Sequence, residues 1–337
     1  MKAIHFCLCL GLLGLIACND PKPPAEEQAT WNTGNPAIDQ LTAEIQGNPD
    51  NPDLYAARAE LFYENEGYDE AIQDLQKALS YDSTRAEYLH LLADVYMDYY
   101  RSSKALSIML DAAKYHPKRI RTLLKLAEFQ LILKQHESAL ATLERIRQLE
   151  PMNPEMFYMA GLVMQDLGKT EQAINNFQSA VENDPDLIEA WINLGKLWAQ
   201  KGEKVAIHFF DNALRVDSTN LIALHEKAYY LSNTLDDLPG ALELYRKIIT
   251  WYPQYEDAYY NSGLLYLDMD SLQQANRQFD LAIQIAPTFT QAYYYRGVTN
   301  QLLGKPNLAR NDFEQVLRMD PENERAAAEL SKMKDER

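Results

Sequence analysis

Residues 173–185, AINNFQSAVENDP, carry a spacing from which the fold can be inferred. Ala173, Phe177 and Ala180 follow one another at steps of four and three, which places their side chains on one face of an α-helix. Pro185 comes five residues later and cannot continue that helix. The stretch therefore predicts an amphipathic helix that ends before Pro185.

The same spacing recurs along the whole chain. An alanine returns every 33 to 35 residues, a large residue follows it four positions later, and a proline or serine follows it twelve positions later. The alanines are Ala37, Ala71, Ala105, Ala139, Ala173, Ala206, Ala241, Ala275 and Ala309, and the large residues are Leu41, Leu75, Met109, Leu143, Phe177, Phe210, Tyr245, Phe279 and Phe313. Nine coincidences of this kind indicate an internal repeat.

A second pattern precedes each alanine from Ala71 onward, namely a bulky residue and then a small residue four positions later. The small residues are Ala59, Ala93, Ala127, Gly161, Gly195, Ala228, Gly263 and Gly297. A small side chain at the same place in every unit allows two helices to approach closely. Each unit is therefore predicted to be a helical hairpin.

The fifth unit shows a family resemblance. Trp191, Leu194, Gly195 and Trp198 are followed by Ala206 and Phe210, which resembles the tetratricopeptide repeat pattern Trp-x2-Leu-Gly-x2-Tyr, then Ala-x3-Phe, then Pro. This unit departs from the pattern in Ser218 and in being one residue short, and the sixth is one residue long around residues 235–240. We expect both irregularities to shift a turn without breaking the stack. The resemblance implies an all-α, right-handed α-solenoid of about eight hairpins.

The repeat period also predicts the domain boundaries. The array covers residues 52–321, in units 52–85, 86–119, 120–153, 154–187, 188–220, 221–255, 256–289 and 290–322. Residues 36–51 supply an N-terminal half-repeat helix, and residues 323–337 a C-terminal capping helix. A stack needs such ends because a terminal unit has no neighbour to cover its apolar face.

Turn residues support the same division. Gly67, Gly168, Gly202 and Gly304 stand where first helices should end, and they suit a left-handed cap. Asn51 and Asn153 each precede a proline and are predicted to cap the start of a first helix. The Ser-Thr pairs in residues 81–84 and 216–219 are predicted to cap the helices that follow them.

The N-terminal residues predict where in the cell the protein is located. Residues 1–17 form a signal peptide, because the apolar run is too short to span a bilayer comfortably. Leu15 to Cys18 resemble the lipobox of bacterial lipoproteins, which implies that Cys18 is lipidated; a secretory peptide that happens to contain a cysteine is the alternative. Residues 18–35 form a flexible tether. In enterobacterial lipoproteins an aspartate directly after the lipidated cysteine marks retention in the inner membrane, and here Asn19 stands at that place. The resemblance therefore favours an outer-membrane lipoprotein facing the periplasm, with the inner membrane or cell surface as alternatives.

Composition and motifs argue against an enzyme. The net charge of −17 repels phosphate backbones, so nucleic-acid binding is not expected. All three cysteines lie at the N-terminus, and the histidines lack ligand spacing, so neither a cysteine nucleophile nor a metal site is predicted. No phosphate loop, dinucleotide fingerprint or nucleophile elbow is present, and no cofactor or small-molecule substrate is expected.

The resemblance implies that the first helices line a concave groove for a protein segment. We expect Asp53, Glu60, Glu64, Glu87, His90, Asp94, Asp98 and Glu128 to face it early in the chain, and Tyr158, Ile192, Tyr229, Tyr260, Leu264, Tyr294 and Val298 later. Tyrosines would anchor the partner and the acidic end would orient its basic stretch. The alternative is that the acids only solvate the surface and the tyrosines pack against neighbouring helices.

These features predict a membrane-anchored scaffold or adaptor that binds a protein partner in the bacterial cell envelope. One alternative is a self-associating structural or assembly factor, in outer-membrane, pilus or secretion assembly. A further alternative is a peptidoglycan-binding, glycan-binding or hydrolase-recruiting protein.

Overall fold

The computed structural model describes residues 34–335, and this range contains eighteen α-helices and no β-strand. The all-α prediction is confirmed. The predicted signal peptide, Cys18 and most of the predicted tether lie outside the described residues. Within residues 34–335, no helix combines the length and apolar character needed to cross a bilayer.

The described chain consists of two compact units, residues 34–83 and residues 84–335. The first unit contains α1 (Pro36–Gly47), α2 (Pro52–Glu64) and α3 (Tyr68–Tyr81). Helices α2 and α3 form a hairpin, and α1 packs against α2 as the second helix of a repeat does.

The second unit contains seven hairpins and one final helix. Each first helix packs against the second helix that follows it, and each second helix also packs against the next first helix. The first helices are α4 (Ala86–Asp98), α6 (Ile120–Ile132), α8 (Pro154–Asp166), α10 (Ile188–Gln200), α12 (Leu221–Asn233), α14 (Glu256–Asp268) and α16 (Thr290–Leu302). The second helices are α5 (Ser102–Tyr115), α7 (His136–Leu149), α9 (Thr170–Asn183), α11 (Ala206–Val216), α13 (Leu238–Trp251), α15 (Leu272–Ile285) and α17 (Pro306–Met319), and α18 (Glu324–Asp335) ends the unit. The predicted eight hairpins, with a half-repeat before and a single helix after, are confirmed.

The small residue of each first helix faces the large residue of its second helix. A Cβ added to Gly195 would lie 2.4 Å from Cε1 of Phe210, and one added to Gly161 would lie 2.5 Å from Cε1 of Phe177. Gly263 and Gly297 meet phenylalanine rings in the same way. Where the small residue is alanine, the facing residue is not phenylalanine but leucine, methionine or tyrosine. The predicted close approach is confirmed, and glycine rather than alanine stands wherever the facing side chain is phenylalanine.

Three of the four predicted left-handed glycines are confirmed, because Gly168, Gly202 and Gly304 have φ of 70°, 72° and 69°. The prediction for Gly67 is wrong. Helix α2 ends at Glu64 with Asn65 as its C-cap, so the left-handed residue is Glu66, with φ of 61°. Gly67 lies one position later, with φ of −79°, and there a Cβ would lie 3.2 Å from the carbonyl oxygen of Phe62.

The predicted asparagine caps are confirmed: Asn51 accepts from the backbone N–H of Asp53 at 3.1 Å, and Asn153 accepts from that of Met156 at 2.8 Å. The predicted Ser and Thr caps are wrong. Helix α4 begins at Ala86 with no side-chain cap, and Asn220 caps α12. The helices begin too far along the chain for the Ser-Thr pairs to reach their free N–H groups.

The two irregular repeats change turns, as predicted. Helix α11 begins at its repeat alanine, Ala206, whereas the other second helices of the unit begin three residues before theirs. In the sixth unit the extra residue lengthens the turn between α12 and α13, where Asp236 adopts a φ of 57°. Both hairpins remain paired.

One first helix of the second unit replaces a core leucine with arginine. Arg296 stands at the repeat position of Leu194 and donates to Asp312, which lies 16 residues later, at 2.6 Å. It also donates to Asp280, which lies 16 residues earlier on the preceding second helix. Asn300 donates to the second oxygen of Asp312 at 2.9 Å. Asp312 is buried, so its charge depends on these partners.

The first unit repeats this arrangement with other partners. Arg58 donates twice to Asp74, at 2.7 and 2.8 Å, and once to the hydroxyl of Thr42 at 2.9 Å. Thr42 and Asp74 again lie 16 residues before and after the arginine. A bidentate pair of this kind sets the geometry of both helices on which it lies.

Candidate functional site on the first helices

The first helices of the second unit contact one another side by side, in the pairs α4 with α6, α6 with α8, α10 with α12 and α14 with α16. We call the surface that they share the first-helix face. In the first unit, Asp53, Glu60 and Glu64 lie on α2 and are exposed. In the second unit, every predicted residue from Glu87 to Val298 lies on a first helix.

Two of the predicted acidic residues in the second unit are paired with cations of the next first helix. Arg119, which directly precedes α6, donates to Glu87 at 2.7 Å, and Lys125 donates to Asp94 at 2.7 Å. The hydrogen bond from Arg119 lowers the pKa of the Glu87 carboxyl, whereas burial raises the pKa of Asp94. Asp98 is exposed. This part of the face is therefore less negative than its acidic residues alone suggest.

The sequence analysis missed Arg119 and Lys125 as partners. They lie 32 residues after Glu87 and 31 residues after Asp94, which is slightly less than one repeat. Residues separated in this way lie opposite each other on successive first helices. An acid and a base at this separation are the signal that could have identified the pairs.

His90 is buried, with 7% of its surface exposed, although it was expected to face the groove. Its Nε2 lies 3.0 Å from the hydroxyl of Thr122, which is also buried. Burial, with Lys125 and Arg119 adding to it, lowers the pKa of the imidazole to about 4. His90 is therefore neutral at pH 7 and forms part of the packing between α4 and α6.

Acid should destabilise the second unit through His90. Between about pH 6.5 and pH 4 the unfolded chain binds a proton that the folded state excludes, so the free energy of unfolding falls as pH falls through this window. His90→Gln should make the pH dependence shallower by about 1 to 2 kcal/mol. Urea midpoints of both proteins from pH 4 to 8 measure the effect. His208→Gln, at an exposed histidine of α11, is the control, and identical curves for His90→Gln and wild type would contradict the assignment.

The predicted tyrosines differ in exposure. Tyr158 is half-buried against Phe177, with ring centroids 5.7 Å apart, and burial raises its pKa. Tyr229 is 55% exposed and is the most open of the four. For Tyr158, packing against a neighbouring helix therefore describes the structure better than a fully open contact surface. Ile192 is buried and Val298 is half-buried.

Tyr260 and Tyr294 belong to one aromatic cluster. Tyr260 lies 5.0 Å from Phe289 and 5.9 Å from Tyr295 between ring centroids, and Tyr294 lies 5.3 Å from Tyr295 and 5.7 Å from Phe313. Burial raises the pKa of Tyr260 to about 12. Edge-on and tilted contacts of this kind hold the rings in fixed orientations.

Arg325 of α18 covers part of this cluster. Its guanidinium carbon lies 4.2 Å from the ring centroid of Tyr294 and 5.5 Å from that of Tyr295, and Nη2 donates to the Tyr295 hydroxyl at 3.4 Å. The sequence predicted only a C-terminal capping helix over residues 323–337, and this contact was not predicted. Nothing in the repeat pattern identifies it, since Arg325 corresponds to Gln291 one repeat earlier.

Tyr229 and Leu264 line one recess between α12 and α14, with a volume of about 130 Å³. Ser232, Asn233, Asn261 and Asp268 contribute polar side chains to its wall, and Asn233 and Asp268 are exposed. We call this the Tyr229 recess. The structure thus brings two predicted residues together with seven that were not predicted.

Metal binding has no evident place on this face. Within residues 34–335, no three His, Cys, Asp or Glu side chains are grouped so that they could hold a metal ion. Nε2 of His136 lies 2.5 Å from Oδ2 of Asp166, and Nζ of Lys134 donates to Oδ1 of the same carboxylate at 2.6 Å. These side chains form an ion-pair group between neighbouring hairpins.

Comparison with known proteins agrees with this architecture. Residues 165–202 match a family model described as TPR repeat, and residues 256–289 and 290–323 match one described as Tetratricopeptide repeat. A chain in the solved structure of the APC/C hetero-tetramer Cut9-Hcn1 has a similar fold, with a TM-score of 0.52 and 15% sequence identity. The similarity covers 88% of the present chain and 58% of the chain in that structure. At this identity the likeness concerns the fold alone.

Two curated relatives share only part of their length with this chain. RNA polymerase II-associated protein 3 of Mus musculus is 32% identical over 125 residues, which is 36% of this chain and 18% of the relative. Protein O-mannosyl-transferase TMTC3 of Homo sapiens is 25% identical over 260 residues, which is 74% of this chain and 28% of the relative. The chain thus spans less than a third of either relative. It contains tetratricopeptide repeats, a fold that typically serves as a non-enzymatic scaffold for protein interactions.

Proposed function

We propose that this chain is a scaffold that binds a protein partner through the first-helix face of its second unit. The observation that carries the proposal is Tyr229, which leaves 55% of its surface exposed on this face beside Leu264. An exposed tyrosine at the edge of a recess provides a large contact area for little loss of side-chain freedom. Aromatic residues of this kind dominate many binding surfaces.

Tyr260 and Tyr294 extend this surface toward the C-terminus. Neighbouring rings hold both of them, so a partner would meet side chains that are already ordered. The sequence predicted that an acidic end of the groove would orient a basic stretch of the partner, and the structure gives the acidic residues a smaller part. Arg119 and Lys125 already neutralise Glu87 and Asp94, so the aromatic part of the face carries the proposal.

We further propose that the protein is anchored through a lipid on Cys18 in the bacterial cell envelope, at the outer membrane and facing the periplasm. The resemblance of residues 15–18 to a lipobox supports the anchor, and Asn19 supports the outer membrane. Several acyl chains give stable attachment. Confinement to a membrane surface would raise the effective concentration of any partner in the same compartment.

Photocrosslinking in intact cells tests the scaffold. A benzophenone amino acid replaces Tyr229 in one strain and Trp251 in another, because Trp251 is also exposed but lies on the second helix α13. We expect a discrete crosslinked protein from position 229 and none of the same mass from position 251. Equal products at both positions, or none at position 229, would contradict a binding face on the first helices.

A further substitution in the same strains tests the lipid anchor separately from the binding face. Cys18→Ser should move the protein from the membrane to the soluble fraction and weaken the crosslink from position 229, because confinement is lost. If the crosslinked product is a second copy of this chain, the self-associating alternative replaces the adaptor. A membrane-bound Cys18→Ser protein would contradict the lipid anchor and leave the binding face untouched.

A further inference from the structure

The polar wall of the Tyr229 recess includes two asparagine amides and a carboxylate, which can accept hydrogen bonds. The amide nitrogen of Asn233 donates to the carbonyl oxygen of Tyr229 at 3.0 Å, and that of Asn261 donates to the carbonyl oxygen of Asp257 at 2.9 Å. These bonds fix the orientation of each amide, and the amide oxygens can act as acceptors. Asp268 adds a carboxylate at the exposed end of α14. Among the described residues that line the recess, none is basic.

The other walls suit a flat cation with an apolar stem. Tyr229 contributes an aromatic side chain, and Leu264 contributes an apolar side wall. The volume of about 130 Å³ is several times the roughly 30 Å³ that one water occupies in the liquid, so a head group of several atoms can enter. A metal ion fits poorly, because the recess contains a single carboxylate and hard cations prefer several oxygen ligands.

The chain itself contains a contact of this type. Arg325 places its guanidinium over Tyr294 and beside Tyr295, in a recess that Asp320 also lines. An arginine therefore already stacks on two tyrosines beside the last hairpin, and a carboxylate lines the same recess. At the Tyr229 recess the tyrosine and the carboxylate are present, and the cation must come from elsewhere.

We propose that the Tyr229 recess binds an arginine side chain of the partner segment, an inference that rests on the proposed function and names the chemistry of the partner. The guanidinium stacks on Tyr229 and donates to Asp268 and to the amide oxygens of Asn233 and Asn261. Its methylene stem packs on Leu264. Arginine suits this arrangement better than lysine because its planar fork offers five donors and also stacks on aromatic rings.

Titration of the full chain with the peptide acetyl-Gly-Arg-Gly-amide tests the proposal. Its counterpart with citrulline has nearly the same shape and no charge. With the methyl groups of Leu264 as the NMR signal, we expect saturable shifts with the arginine peptide and at least tenfold weaker binding of the citrulline peptide. Tyr229→Phe should retain binding and Tyr229→Ala should lose it, because the ring face is the contact.

Asp268→Asn should lower the affinity for the arginine peptide roughly fivefold, because loss of an exposed ion pair costs about 1 kcal/mol. Glu314→Gln, at an exposed acid of α17 outside the recess, should leave its affinity unchanged. Equal binding of the citrulline peptide, or an unchanged affinity in Asp268→Asn, would overturn the proposal. If the cellular crosslink at position 229 persists in that case, only the arginine assignment fails; if the crosslink is absent, the scaffold proposal fails as well.

Discussion

Gly195→Ala is expected to destabilise the second unit by about 2 to 3 kcal/mol, toward the upper end of what overpacking costs. The new Cβ would lie 2.4 Å from Cε1 and 2.6 Å from Cδ1 of Phe210, closer than carbon atoms can approach. Phe210 cannot retreat, because it is fully buried and packs against Tyr230 on the next first helix. Helices α10 and α11 would have to separate. Urea and thermal denaturation, followed by circular dichroism, measure the loss.

A double substitution distinguishes this clash from a simple preference for glycine. Gly195→Ala with Phe210→Leu reproduces the Ala127 and Leu143 pair of the third hairpin, so it should recover at least about 1 kcal/mol relative to the sum of the single changes. Gly47→Ala is the control, because a Cβ at Gly47 would have no neighbour within 4 Å. It should be neutral or slightly stabilising. Additive single effects would rule out the steric account.

Arg296→Leu is expected to destabilise the same unit by about 3 kcal/mol, although Leu92, Leu126 and Leu194 stand at this repeat position in other hairpins. The substitution leaves the buried carboxylate of Asp312 with only the amide of Asn300 as a partner. An uncompensated buried charge costs more than the lost pair contributes. Asp280 should matter less, since its side chain is 48% exposed and water can solvate it. The same denaturation measurements apply.

Arg296→Leu combined with Asp312→Thr should restore stability to within about 1 kcal/mol of wild type, because the charge and its partner leave together. The pair copies Leu126 and Thr142 of the third hairpin, where the threonine hydroxyl donates to Gln130 at 2.8 Å. Asn300 occupies the place of Gln130 and can accept in the same way. A double variant as unstable as Arg296→Leu alone would show that the arginine stabilises the unit by packing rather than by charge.

The repeat architecture could be predicted because it depends on steric spacing alone. Ala173 and its equivalents must be small wherever two helices cross, so their period specifies the hairpins without any knowledge of neighbours. The error at Gly67 shows the limit of this reasoning. A left-handed cap depends on where the preceding helix ends, and one residue of difference moved it to Glu66.

The candidate site could be predicted only in part, because its chemistry depends on side chains one repeat away. The first helices, and the placement of the predicted residues on them, could be identified from the repeat period. Whether Asp94 is paired depends on Lys125, and whether His90 is exposed depends on Thr122. The acceptor character of the Tyr229 recess depends on how each asparagine amide bonds within its own helix, which no spacing encodes.

The arginine cover over Tyr294 has a further consequence for the order in which the second unit opens. Helices in this unit pack on near neighbours along the chain, so a terminal helix can detach without disturbing distant ones. Among the described residues, helix α18 packs on the preceding helices, and end elements of a stack detach at low free energy. Fraying of α18 removes Arg325 from Tyr294 and Tyr295. Local melting of α18 would thus uncover the aromatic surface at that end without unfolding the hairpins that form it.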